Sequence, residues 1–70
     1  MMHQYSDIEG RCACFADATT GIVEHKYKGV QTKTRIPVGG DYSIERENTV
    51  TILRRINDKE FAVTRSYKTK

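Results

Sequence analysis

The chain reads as an all-β protein, a small antiparallel barrel or strongly curved sheet of five to six strands. Two observations predict this. The aliphatic residues are five Val and six Ile against one Leu, and side chains branched at Cβ are stiff at χ1 and suit a pleated surface better than a helix. The second half then alternates with period two, as a half-buried strand requires because successive side chains point to opposite faces.

Six extended segments can be placed between turn signals. Residues 8–16 put Ile8, Gly10, Cys12, Cys14 and Ala16 on one face and Glu9, Arg11, Ala13 and Phe15 on the other. Residues 17–21 form a turn, opened by Asp17 and closed by Gly21. In residues 22–28, Val23, His25 and Tyr27 oppose Ile22, Glu24, Lys26 and Lys28, and Gly29 breaks or bulges the strand. Residues 30–38 alternate with Val30, Thr32, Thr34, Ile36 and Val38 inward and Gln31, Lys33 and Arg35 outward. Pro37 cannot donate to a ladder, so this strand ends there or lies at an edge. Gly39, Gly40 and Asp41 mark a turn, and residues 42–45 form a short strand or a single helical turn.

The closing hairpin spans residues 49–67. A two-residue loop at Asp58 and Lys59 pairs Ile56 with Phe61, Arg54 with Val63, Ile52 with Arg65 and Val50 with Tyr67. That register collects the apolar residues of both strands on one face, and a slip of one residue splits the set. It also sets Arg54 and Arg65 on the apolar face, where a core has no use for charge.

Seventy residues allow one small domain, which buries only about 60% of its extended-chain surface. That domain is expected at residues 8–68, behind a flexible N-terminus at residues 1–7. The start lacks a basic stretch followed by an apolar one, and no apolar run approaches the ~20 residues of a membrane span. The expectation is a cytoplasmic protein with no membrane role. In strand count and spacing the pattern resembles SH3-like and OB-like small barrels, an architectural likeness that carries no function.

Catalytic and cofactor chemistry is not predicted. Cys12 and Cys14 lie two apart on one strand face, about 6.5–7 Å from each other, at or beyond the reach of an unstrained disulfide. With His3 and His25 they match no paired zinc spacing, so both are expected as buried thiols. Gly39 and Gly40 lack the Lys-Ser/Thr of a phosphate loop. The chain is therefore expected to be no enzyme, with no cofactor and no metal.

Charge layout is the best functional lead. The net charge is +3, but residues 1–25 carry −3, residues 26–35 carry +4, residues 36–45 carry −2 and residues 46–70 carry +4. Two basic blocks sharing a face would steer a polyanion. The expected function is a non-catalytic module binding nucleic acid on a basic sheet face. Lys26, Lys28, Lys33, Arg35, Arg54, Arg55 and Arg65 would engage phosphates, and Tyr27 and Tyr67 would stack bases. The alternative is a regulatory or inhibitory module for an acidic protein partner, or a homodimer through a sheet edge.

Overall fold

The computed structural model describes residues 2–68. Seven strands form two antiparallel sheets. Sheet A joins β1 (His3–Ser6), β2 (Cys12–Asp17), β3 (Ile22–Tyr27) and β4 (Val30–Arg35) in chain order. Sheet B joins β5 (Asp41–Glu45), β6 (Thr49–Arg55) and β7 (Phe61–Tyr67). The all-β class is as expected, whereas the strand number and the barrel are corrected. No ladder joins β4 to β5 or β7 to β1 among the described residues, so the sheets do not close. The seventh strand comes from residues 3–6, expected outside the domain, which pair with β2.

Local chemistry explains the turns of sheet A. Between β1 and β2 the Asp7 carboxylate accepts the N–H groups of Glu9 and Arg11, both at 2.9 Å, and bends the chain back on itself. Asp17 does the same for Thr19 N–H, and Gly21 N–H closes the turn on Asp17 C=O at 2.7 Å. Between β3 and β4 the chain turns on two residues, Lys28 at φ 52° and Gly29 at φ 81°, where a break or bulge was expected. Paired positive φ values make the I′-type hairpin turn, whose twist matches that of the flanking strands.

The inner faces of both sheets share one core of Ala13, Cys14, Ala16, Ala18, Val23, Ile36, Ile44, Leu53 and Phe61. β2 contributes the small side chains Ala13, Cys14 and Ala16, while Tyr5, Tyr42 and Val63 pack against the cluster. Because the inner faces meet, the two outer faces point away from each other.

The hairpin register departs from the expected one by a single residue. Arg55 pairs with Phe61, Leu53 with Val63, Thr51 with Arg65 and Thr49 with Tyr67. Thr49, Thr51, Leu53 and Arg55 therefore face the core, and Val50, Ile52, Arg54 and Ile56 face out. Two interactions hold this choice. The Asn57 side chain accepts Lys59 N–H at 2.7 Å and Glu60 N–H at 3.0 Å, which builds the connection from residues 56–60 instead of a two-residue loop. Arg55 meanwhile finds three carbonyl oxygens inside: Nε donates to Ala18 at 2.9 Å, Nη1 to Ile36 at 2.9 Å and Nη2 to Thr19 at 3.0 Å. A buried charge is tolerated when its donors are satisfied in this way. Gly21 belongs to the same node, since a Cβ there would stand 2.3 Å from the Ile36 oxygen and 2.6 Å from Arg55 Nη1.

Candidate functional site

The outer face of sheet A gathers most of the first basic block. Cross-strand partners share a face in an antiparallel pair, so the registers Phe15↔Glu24, Glu24↔Lys33, Lys26↔Gln31 and Ile22↔Arg35 define one surface. Lys26, Lys33 and Arg35 are all exposed there. Asp17 and Glu24 are the acids on this face: Asp17 lies in the row of Ile22 and Arg35, and Glu24 Oε2 stands 3.9 Å from Lys33 Nζ. An exposed pair at that separation contributes little and leaves the lysine free to exchange partners.

Phe15 stands on the same face with 45% of its surface exposed. Alternation in the sequence sets Phe15 on the face of Glu9, Arg11 and Ala13, opposite Cys14 and Ala16. The signal was present, since an aromatic ring alternating with Cys14 and Ala16 on the core side must point into water. Phe15 is the residue that motif reasoning missed.

The other expected site residues are dispersed. Lys28 occupies the turn, its Nζ 5.4 Å from the centre of the Tyr27 ring. Tyr27 is half-buried on the inner face, and the Arg46 guanidinium lies 4.5 Å from its ring centre. A cation thus already occupies the position over the ring that a base would take. Arg54 is exposed on the outer face of sheet B, in register with Asp41 and Ala62, and so points away from Lys26, Lys33 and Arg35. Arg65 reaches across to sheet A, where its Nε donates to Ser6 C=O at 2.6 Å. Tyr67 is exposed at the far end of β7, opposite Thr49. Arg55 requires correction: it is 9% exposed and its donors are spent on carbonyls in the core. The expected convergence of both basic blocks on one surface is limited to Lys26, Lys33 and Arg35, with Lys28 at the adjoining turn.

The cysteines also separate. β1 pairs Tyr5 with Cys14 and Ser6 with Cys12, which leaves Ala13 as the extra residue of a bulge. Cys14 is buried as expected, but the bulge turns Cys12 out to solvent. Burial, and then the neighbouring Cys12, push the Cys14 thiol up to about 12, which keeps it an unreactive thiol.

His25 joins the sheets from the inner face of β3. Its Nε2 shares a 2.8 Å hydrogen bond with Tyr42 Oη on β5, and its Nδ1 is buried with no partner. Burial first, and the Arg46 charge second, lower its pKa below the ordinary histidine value. The unfolded chain therefore binds this proton more readily than the folded one. Stability is full above about pH 6.5, the unfolded histidine value, and falls as pH drops through the lower folded value. Urea midpoints measured from pH 7.5 to 5 should decline, and His25→Gln should flatten that decline. An equal decline in the variant would assign it to other groups.

An open cleft of about 410 Å³ adjoins the outer face of sheet A, lined by Cys12, Cys14, Phe15, Glu24, His25, Lys26, Gln31 and Ala13. No protein-family model matches the chain, and no curated protein or solved structure matches it either. Function must therefore be argued from this surface itself.

Proposed function

We propose that the protein binds single-stranded nucleic acid, without catalysis, on the outer face of sheet A. One observation carries the reading: an exposed aromatic ring, Phe15, shares one face of sheet A with Lys26, Lys33 and Arg35. Binders of single strands combine cations that follow the phosphates with rings on which bases stack. Lys28 at the adjoining turn extends the cationic surface. The proposed compartment is the cytoplasm, where the exposed Cys12 thiol stays reduced.

Fluorescence anisotropy with labelled single-stranded 12-mers tests this. Three phosphate contacts give a salt slope of roughly −2, so raising salt from about 50 to 200 mM weakens binding about twentyfold. Phe15→Ala should weaken it about tenfold, in line with stacking worth ~1–3 kcal/mol per base. Arg54→Ala, on the opposite face, should change affinity less than twofold. Absence of binding at low salt, or affinity indifferent to salt, would sink the proposal.

A second reading draws on the edge of β4, which among the described residues pairs with β3 alone. An exposed strand edge can accept a strand from an acidic partner or from a second copy of the chain. A solution mass of twice 8.0 kDa would favour the homodimer.

A further inference from the structure

Sheet A forks. The β2–β3 ladder runs from Asp17↔Ile22 through Ala16↔Val23 to Phe15↔Glu24 and stops there. Beyond that point β2 stays with β1, through Tyr5↔Cys14 and Ser6↔Cys12. β3 stays with β4 through His25↔Thr32, Lys26↔Gln31 and Tyr27↔Val30. The Ala13 bulge bends β2 away from β3, as an unpaired extra residue does. The Arg46 guanidinium enters from the β5–β6 turn and donates to Ala13 C=O at 3.1 Å, taking a carbonyl in the stretch where the ladder has ended.

The cleft of about 410 Å³ opens at this fork, and its volume falls within the roughly 300–1,000 Å³ of small-molecule sites. It is lined by Phe15, Glu24, Lys26 and Gln31 of the outer face together with Cys14 and His25 of the inner one. Its walls are chemically mixed. Phe15 offers an aromatic face, the Gln31 amide offers a donor and an acceptor, Glu24 offers an acceptor and Lys26 offers a cation. Residues 12–14 lie on one arm of the fork and residues 25–26 on the other. A planar ring with hydrogen-bonding edges, attached to a phosphate, matches these walls better than an aliphatic or purely anionic ligand does.

We propose that the fork between β2 and β3 is a base-recognition subsite, which takes one unstacked base of a single strand beside Phe15 with its edge toward Gln31 and Glu24. This rests on the nucleic-acid reading above and adds to it a preference for single strands, because a base held in a duplex cannot enter a cleft between strands. It also turns Cys12 into a reporter. That thiol is exposed and lines both this cleft and the neighbouring one of Tyr27, Lys28 and Arg46, whereas Cys14 is buried.

The test is alkylation of Cys12 in the full chain by iodoacetamide, followed by mass spectrometry. It is run alone, with saturating single-stranded 12-mer and with a duplex of the same length. The single strand should slow alkylation at least threefold, and the duplex should slow it less than the single strand does. Gln31→Ala, which removes no charge, should lower single-strand affinity at least threefold with the salt slope unchanged. Gln31 borders this cleft and not the neighbouring one lined by Tyr27, Lys28 and Arg46, so the variant separates the two. An oligonucleotide that binds by anisotropy yet leaves Cys12 equally reactive overturns the subsite and spares the sheet-face reading. Equal protection by the duplex, or unchanged affinity of Gln31→Ala, overturns the subsite as well. Failure of every oligonucleotide to bind removes the sheet-face reading, and the subsite with it.

Discussion

Arg55→Met should cost about 3–9 kcal/mol, from three carbonyls at about 1–3 kcal/mol each, the largest loss expected from any single substitution. Methionine keeps the apolar stem of the side chain and deletes three donors. The carbonyls of Ala18, Thr19 and Ile36 then lose their partner near the centre of the molecule. Each buried carbonyl left unsatisfied costs about 1–3 kcal/mol. A chain of this length has roughly 4–10 kcal/mol in total, at ~0.05–0.15 kcal/mol per residue.

The contacts also span the fold. Ala18 and Thr19 lie in the β2–β3 turn and Ile36 just after β4, so the guanidinium ties sheet B to two separate points of sheet A. Arg55→Lys keeps the charge but replaces a planar fork with a single ammonium, and should recover part of the stability. Far-UV circular dichroism during urea unfolding reads both variants. A Met variant with a wild-type midpoint would show that the guanidinium is not a structural clamp.

The second large effect separates neighbours on β6. Leu53→Ala should destabilise by about 2–5 kcal/mol, as deletion of a fully buried leucine does. Ile52→Ala should cost about 1 kcal/mol, because most substitutions outside a closed core stay near that value. Leu53 is 0% exposed between Tyr42 and Val63, while Ile52 faces outward between Ser43 and Thr64 and is only half-buried. The hairpin register that joins Ile56 to Phe61 predicts the reverse order. Urea midpoints of the two variants therefore decide the register directly, and a larger loss from Ile52→Ala would reject the pairing of Leu53 with Val63.

That comparison marks where reading residues in order reaches its limit. Alternation predicts Val23, His25 and Ile36 inward and Lys26, Lys33 and Arg35 outward, as observed, whereas Val30 and Val38, also expected inward, are exposed. The turn at residues 17–21 is legible because Asp and Gly each have a local role there. The strand of residues 3–6 is not legible, since a short polar segment becomes a strand only by pairing with β2. Of the expected site, Lys26, Lys33 and Arg35 share a surface because β3 and β4 are joined by a tight turn, which a sequence can reveal. Arg54, Arg55 and Arg65 could not be sorted in the same way. Their faces depend on the register of the last hairpin and on which carbonyls lie opposite.

The amino-acid order by itself determined the all-β class, the turns at residues 17–21 and 39–41 and the outward face of the first basic block. These follow from side-chain branching, period-two alternation and residues acting on neighbours a few positions away. Tertiary structure decided the register of β6 with β7, the burial of Arg55, the exposure of Cys12 and the fork between β2 and β3. Each of these balances apolar burial against hydrogen bonds to atoms distant in the chain. For Arg55 those atoms lie 19, 36 and 37 residues away, and only the folded chain brings them within 3 Å of its guanidinium.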